Sequence, residues 1–192
     1  MTRVIGICGG IGSGKSVVSR ALRCMGHPVY DCDSRARDIM DASESLKRDI
    51  ASCLGPECVL DDGSLDRKAI ARRVFADNEA LQWLNIRVHA LVRADILDWI
   101  EELEHRCIKL AFVESAIIAS SGVAELCEEL WLVDAPEEVR IKRAAKRDNS
   151  SPDQIRMRIK AQEREMDLIK RDYSSRKIVN DGETPLLPQI QV

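Results

Sequence analysis

The sequence predicts an α/β fold with a five-stranded parallel sheet between layers of helices, and three observations support that prediction. An apolar run suited to a buried strand covers residues 4–8. A glycine-rich stretch follows it directly, and residues 16–25 then carry apolar side chains at helical spacing. Later apolar runs of strand length, separated by helical patterns, are predicted strands at residues 29–33, 108–114, 130–134 and 177–180.

The glycine-rich stretch fits the template G-x-x-x-x-G-K-[ST] at every fixed position. A strand, a glycine-rich turn and a helix in this order aim backbone N–H groups and the positive end of a helix at a phosphate. A chance glycine-rich turn would not need both flanking elements, so we interpret the stretch as the phosphate loop of a P-loop NTPase fold. Lys15 is expected to reach the β- and γ-phosphates, and the Ser16 hydroxyl is expected to ligate Mg²⁺. The predicted nucleotide-binding residues of this loop are Gly10, Ile11, Gly12, Ser13, Gly14, Lys15, Ser16 and Val17.

The rest of the chain is organised around this core. The predicted nucleotide-binding core comprises residues 1–34, 107–135 and 173–192. Residues 35–106 are mostly helical and too long for a simple connection in an α/β unit, so we predict an insertion that recognises the second substrate. Residues 136–172 are polar, rich in arginine and poor in large apolar side chains. They are predicted to form a mobile helical lid that closes over the triphosphate and excludes water.

Two carboxylates, Asp31 and Asp33, end the second predicted strand with one residue between them. Alternation along an extended chain places both on one side, close to the phosphate loop, because the carboxyl ends of parallel strands gather at the ligand crevice. One of them could accept a proton from an attacking hydroxyl or hold Mg²⁺ through water. The alternative is that one acid only caps a helix beginning near Ser34. Glu114 ends the third strand, where such folds often keep an acid near Mg²⁺.

Two groups of cationic residues are candidates for contacts with anionic substrates. Arg67 belongs to a cluster in the insertion, where a solvated surface face is an equally good interpretation. In the predicted lid, Arg140, Arg143 and Arg147 recur at helical spacing along one face. Basic residues toward the end of that helix are also explained by the helix dipole alone, without any contact to a substrate. The sequence leaves both choices open.

The composition argues against several other classes of protein. Over 192 residues the net charge is −3 with 32% charged residues, so no overall basic field indicates nucleic-acid binding. The first strand begins so early that no signal peptide is expected, and no stretch approaches the ~18 apolar residues of a membrane span. The seven cysteines include no C-x-x-C pair and are expected to be free thiols. We therefore expect a cytoplasmic enzyme, with a monomer favoured and no metal other than Mg²⁺.

The sequence resembles the dephospho-CoA kinase family over nearly its whole length. The doubled glycine that opens the phosphate loop, Gly9-Gly10, is more specific to this family than the general phosphate-loop template. Asp31-Cys32-Asp33 is similar to the family's Asp-Ala-Asp. The sequence departs from the family's pattern at Ala90, at residues 116–120 and at Ser174-Ser175. Further residues that match are His89, Arg143, Arg147, Arg158, Gln162, Asn180 and Gly182.

The resemblance implies transfer of a phosphoryl group from ATP, with Mg²⁺, to the ribose 3′-hydroxyl of dephospho-CoA. It implies that Asp33 is the general base and that Lys15 and Arg143 are the catalytic cations. Ser16 keeps the Mg²⁺ role argued above, and Asp33 could hold the ion through water. The helical insertion would dock the acceptor. The residues then expected around the substrates are Arg147, Asn180 and Gly182 for ATP, and Asp31, Asp33, Arg67 and His89 for dephospho-CoA.

Two alternatives remain at this point. The nearest is another P-loop kinase that phosphorylates a nucleoside or nucleotide, against which the Asp31–Asp33 pair and the long insertion argue. A nucleotide-dependent switch belongs to a different class of protein. A GTPase of that kind needs an Asn-Lys-x-Asp run to read guanine, and the sequence contains none.

Overall fold

The computed structural model describes residues 1–191 and divides the chain into two compact units. The first unit comprises Met1–Asp31 and the chain from Ile100 onward, and the second comprises Cys32–Trp99. Within the described residues, no helix is both long enough and apolar enough to cross a membrane.

A parallel sheet forms the centre of the first unit. All its neighbouring strands are hydrogen-bonded in parallel, in the order β2-β3-β1-β4-β5, which confirms the predicted five-stranded parallel sheet within the described residues. Because β1 lies in the middle, the glycine-rich stretch that follows it leaves the carboxyl edge of the sheet at its centre. The strands are β1 Arg3–Cys8, β2 Val29–Asp31, β3 Leu110–Glu114, β4 Glu129–Asp134 and β5 Ser175–Val179.

Helices cover the sheet and make up most of the second unit. In the first unit they are α1 Lys15–Cys24, α6 Glu137–Asp148, α7 Pro152–Ala161 and α8 Glu163–Asp172. In the second unit they are α2 Cys32–Ala42, α3 Glu44–Leu54 and α4 Arg67–Ala76, and α5, Asn78–His105, begins there and ends in the first unit.

The core of the first unit is built from the inward-facing residues of the central strands and α1. Ile5, Phe112 and Trp131 are fully buried and pack with Val18 and Leu22 of α1. The rings of Phe112 and Trp131 lie 5.3 Å apart between centroids in a tilted arrangement. Trp131 is therefore a packing residue, as its place in an apolar run predicts.

The second unit has an apolar core of its own. Leu46, Ile50 and Leu54 repeat along one face of α3 and pack with Ile70 of α4. Asp62-Gly63 lies in a turn between Val59 and Leu65, which form a single antiparallel bridge.

The boundary between β2 and α2 differs from the prediction and corrects one expectation about the acids. β2 ends at Asp31, and α2 already begins at Cys32, which places Asp33 in the first turn of a helix. The expectation that Asp31 and Asp33 share one side of an extended segment is therefore wrong. An acidic residue in the first turn is favoured by the helix dipole, and this stabilises an early helix start.

The helix pair α7 and α8 buries more than its composition suggests. Ile155 and Ile169 are fully buried, and the carboxylate-bearing Glu165 is only 6% exposed. Met157, in contrast, is 73% exposed. The sequence-based expectation of little burial here is thus corrected, while the closure of this segment over a nucleotide stays a prediction.

Candidate active site

The phosphate loop lies between the carboxyl end of β1 and the start of α1. Gly12 and Gly14 adopt left-handed backbone conformations, with φ of 76° and 97°. A Cβ atom on Gly12 would collide with the Arg140 carbonyl oxygen, and one on Gly14 with the Asn180 side-chain nitrogen. Only glycine fits these two positions. The first turn of an α-helix leaves N–H groups without intrahelical acceptors and carries the positive end of the helix dipole, so the start of α1 suits an anion.

Lys15 is the first residue of α1, and its side chain folds back over the loop. The ammonium group donates a hydrogen bond to the Gly9 carbonyl oxygen at 2.8 Å. The N–H groups of Val17 and Val18 both donate to the Gly14 carbonyl oxygen. The cation is therefore held directly above the glycine-rich backbone, where the expected phosphates would bind.

Side chains from later in the chain fix the loop backbone from outside. The Arg140 Nε atom donates to the Ile11 carbonyl oxygen at 3.0 Å, and the Ile11 N–H donates to the Gln162 Oε1 atom at 2.7 Å. The Asn180 Nδ2 atom donates to the Ser13 carbonyl oxygen at 2.8 Å. The loop is thus preformed before any phosphate arrives, which lowers the ordering cost of binding.

The predicted nucleotide-binding residues Arg143, Asn180 and Gly182 lie together beside the loop. The Arg143 Nη1 atom donates to the Asn180 carbonyl oxygen at 2.7 Å. A Cβ atom on Gly182 would lie 3.7 Å from the Arg143 Nη2 atom, so this guanidinium also approaches Gly182. The structure therefore brings Arg143 beside Asn180 and Gly182, although Arg143 and Asn180 are 37 positions apart in the sequence.

Arg147 has a different environment from Arg143. Its guanidinium forms a two-pronged pair with the neighbouring Asp148 at 2.7 and 3.1 Å, and Arg158 of α7 joins the same carboxylate at 2.9 Å. The hydrogen bond from Arg147 holds the pKa of Asp148 below its usual value. Asp148 therefore stays ionised at neutral pH and holds the two arginines together.

Two carboxylates meet at the carboxyl edge of the sheet. Asp31 and Glu114 are register partners at the ends of β2 and β3. Burial raises the pKa of Glu114, and the nearby negative charge of Asp31 raises it further, while Ser19 and Lys15 oppose the shift. The two carboxylates and the Ser16 hydroxyl at the start of α1 are hard oxygen donors, the kind of ligand that Mg²⁺ prefers.

Replacing Glu114 with glutamine should stabilise the free protein at neutral pH. Because the folded-state pKa of Glu114 is raised, its contribution to stability is full at low pH and is lost as the pH rises through that pKa. Removing the charge should raise the midpoint of thermal unfolding at pH 7 by about 1–3 °C, and the gain should vanish near pH 4.

The matched control for Glu114→Gln is Glu102→Gln on α5, an exposed glutamate paired with Arg106 at 3.8 Å. That variant should show no gain at pH 7. A Glu114→Gln protein that unfolds at the wild-type temperature or below it at pH 7 would contradict the assigned environment.

The remaining predicted site residues lie in the second unit. Asp33 is exposed in the first turn of α2, and His89 is half-buried midway along α5. Arg67 begins α4 and pairs with Asp41 at 2.8 Å. This exposed pair fits a solvated face as well as a substrate site, so the role of Arg67 remains a prediction.

Sequence reasoning missed how Arg140 and Gln162 are used. Arg140 stood out only as one member of an arginine stripe, and Gln162 only as a match to a family. Glu165 was not singled out at all, although it lies one turn before the buried Ile169 on α8, on the apolar side of that helix. A charged residue in the apolar pattern of a helix is the signal that could have identified it.

A glycine-rich phosphate loop at the carboxyl edge of a parallel sheet, with arginines beside it, defines a nucleotide-binding protein of the P-loop class. A family model of dephospho-CoA kinase matches residues 3–185 of the chain. A dephospho-CoA kinase from Porphyromonas gingivalis is 40% identical over 186 residues, which cover 97% of this chain and 90% of that protein. The chain belongs to the dephospho-CoA kinase family, and the resemblance noted in the sequence is confirmed.

Solved structures agree with this assignment at the level of the fold. A crystal structure from Thermus thermophilus is 34% identical and gives a TM-score of 0.80. The match covers 98% of this chain and 92% of that chain. A dephospho-CoA kinase from Campylobacter jejuni, 24% identical, gives a TM-score of 0.68, with 94% of this chain and 90% of that chain covered. The family phosphorylates 3′-dephospho-CoA with ATP to give coenzyme A and ADP.

Proposed function

We propose that this chain carries out the reaction of its family, with the γ-phosphoryl group of ATP transferred to the ribose 3′-hydroxyl of dephospho-CoA. The observation that supports this most strongly is the complete phosphate loop, with Lys15 bonded across it and its backbone held at Ile11 and Ser13. A preformed loop of this kind positions a triphosphate and neutralises its charge, which is most of what phosphoryl transfer needs.

The nucleotide half of the site is assigned to the first unit. The loop residues from Gly10 to Val17 surround the phosphates, with Lys15 directed at the β- and γ-phosphates. The N–H groups of Ile11, Ser13 and Val17 donate within the protein, so the phosphates are assigned to the other N–H groups of the loop. Arg143 stabilises the charge that develops on the transferring group. Asn180 and Gly182 border the adenine, and Arg147 contacts the nucleotide from the same side. The bond from Arg143 to the Asn180 carbonyl supports this arrangement.

The acceptor half of the site is assigned to Asp31, Asp33 and the insertion at residues 35–106. The 3′-hydroxyl oxygen forms a bond to the γ-phosphorus as the bond from that phosphorus to the bridging oxygen of ADP breaks. Asp33 accepts the hydroxyl proton, and ADP leaves. Arg67 and His89 bind the acceptor. Asp33 is exposed to solvent in the first turn of α2, directly after the end of β2, and this position supports its role.

Mg²⁺, when bound, neutralises charge on the β- and γ-phosphates. The Ser16 hydroxyl would hold it, with Asp31 and Glu114 as neighbouring oxygen donors and Asp33 acting through water. The hard-oxygen chemistry of these groups supports the assignment.

The segment 136–172 is proposed to be the lid. Exclusion of water matters because an open site would hydrolyse ATP instead of transferring the phosphoryl group. The cluster of Asp148 with Arg147 and Arg158 supplies the cations that such a lid would bring to the phosphates. We further propose that the protein works as a cytoplasmic monomer.

One observation favours a second candidate function. Residues 116–120 depart from the family's pattern in a segment that, by the resemblance, helps to shape the acceptor site, so a related kinase acting on a different hydroxyl is the alternative. Initial rates of ADP release with dephospho-CoA, adenosine, AMP and shikimate as acceptors distinguish the two. We expect kcat/KM for dephospho-CoA to exceed that for each other acceptor by at least about 10³-fold. The other acceptors lack contacts with the acceptor site that together are worth several kcal/mol. A higher kcat/KM for any other acceptor would replace the proposed function with the alternative.

A further inference from the structure

Ile11 is the point at which the segment 136–172 contacts the phosphate loop. Its carbonyl oxygen accepts a hydrogen bond from Arg140 of α6, and its N–H donates to Gln162, the residue between α7 and α8. Its side chain packs against the small apolar cluster of Ile141, Ala144 and Ile155. One loop residue is therefore held through both backbone groups and its side chain.

Gln162 is itself held in place by its helix. One turn later on α8, the buried Glu165 carboxylate accepts hydrogen bonds from the N–H groups of Ala119 and Ser120, at 2.7 and 3.1 Å. The first turn of α8 is thus fixed to residues 119–120 by two hydrogen bonds.

We propose that Gln162 is a positioning residue for ATP, which fixes the phosphate loop in its binding-competent shape through the N–H of Ile11. The side-chain amide is uncharged, so it orients the loop without competing for the phosphates or repelling them. Arg140, which holds the other side of Ile11, adds a positive charge near the same site. Gln162 therefore orders the phosphate loop, whereas Arg140 orders the loop and also adds positive charge beside it.

This inference rests on the proposed ATP-binding function and deepens it. A loop that is ordered before binding loses less conformational entropy when the triphosphate arrives. Removing the Gln162 acceptor should therefore weaken ATP binding and leave binding of dephospho-CoA nearly unchanged. A purely structural residue would affect stability without this selectivity.

Gln162→Met tests the inference, because methionine keeps the length of the side chain and removes the acceptor. Gln154→Met is the matched control. Gln154 also accepts a backbone N–H bond, from Ser151 at 2.9 Å, but that bond lies within the capping box of α7. Both variants lose one bond of the same kind, and only the first loses contact with the phosphate loop.

Three quantities are measured on the full chain: the dissociation constant for ATP with Mg²⁺ by calorimetry, the thermal unfolding midpoint, and hydrogen exchange of the peptide that contains Ile11. We expect Gln162→Met to raise the dissociation constant for ATP about three- to tenfold and to speed exchange of the loop peptide. Gln154→Met should keep ATP affinity within about twofold of wild type, and its loop peptide should exchange at the wild-type rate. Its thermal unfolding midpoint should change by about as much as that of Gln162→Met.

Equal ATP affinity in the two variants, or wild-type loop exchange in Gln162→Met, would overturn the inference. Hydrogen exchange needs no nucleotide, so it decides whether Gln162 holds the loop even if the wild-type protein bound no ATP. A wild-type protein that bound no ATP would count against the proposed function. Wild-type loop exchange in Gln162→Met would count against the role of Gln162, so the two failures can be told apart.

Discussion

Replacing Asp33 with asparagine is expected to lower kcat for phosphorylation of dephospho-CoA by about 10²–10⁴-fold. Asparagine keeps the shape of the side chain and its place in the first turn of α2 but cannot accept the hydroxyl proton. The dissociation constant for ATP should change little, because the phosphate loop and its supports lie elsewhere in the chain. Steady-state rates with saturating substrates, combined with calorimetry for ATP, measure both effects.

Asp38→Asn is the control for this prediction. Asp38 is an exposed aspartate on the same helix, 4.0 Å from Arg35, so the variant makes the same chemical change away from the first turn. It should keep kcat within about twofold, as surface changes usually do. Near-normal turnover in Asp33→Asn would remove Asp33 from the base role and direct attention to Asp31.

Lys15→Ala is expected to reduce kcat by about 10²–10³-fold and also to weaken ATP binding. The ammonium group is held over the loop by its bond to the Gly9 carbonyl, so its charge acts on the bound phosphates and on the transition state alike. The combined loss in both parameters separates this variant from Asp33→Asn, where kcat alone should fall.

The control for Lys15→Ala is Lys109→Ala. Lys109 is an exposed lysine next to the start of β3, at the opposite edge of the sheet from the phosphate loop, where its carbonyl oxygen accepts the Arg3 N–H. Its loss should leave both parameters near their wild-type values. An unaffected rate in Lys15→Ala would contradict the assignment of the loop.

The parts of the fold that sequence predicted well are those specified by neighbouring residues. β1, the phosphate loop and α1 follow from a short apolar run, a fixed set of glycines and a helical pattern, all within the first two dozen residues. The start of α2 was missed because Asp31-Cys32-Asp33 suits a strand end and a helix start equally. Local preference did not decide between them, and the helix begins at Cys32.

The supports of the site could not be predicted because they depend on tertiary contacts. The contacts of Ile11 with Arg140 and Gln162 join residues that are 129 and 151 positions apart. No periodic pattern in the sequence specifies which arginine of the stripe at Arg140, Arg143 and Arg147 contacts the loop. The strand order, which places β1 in the centre, is likewise a property of the folded chain.

The most direct test of the central claim is ADP release from ATP and Mg²⁺, measured with and without dephospho-CoA, together with mass and phosphorus NMR analysis of the acceptor. We expect ADP release to depend on dephospho-CoA, with one phosphoryl group gained at the ribose 3′ position for each ADP. ADP release that is indifferent to dephospho-CoA, or a phosphoryl group at another position, would contradict it.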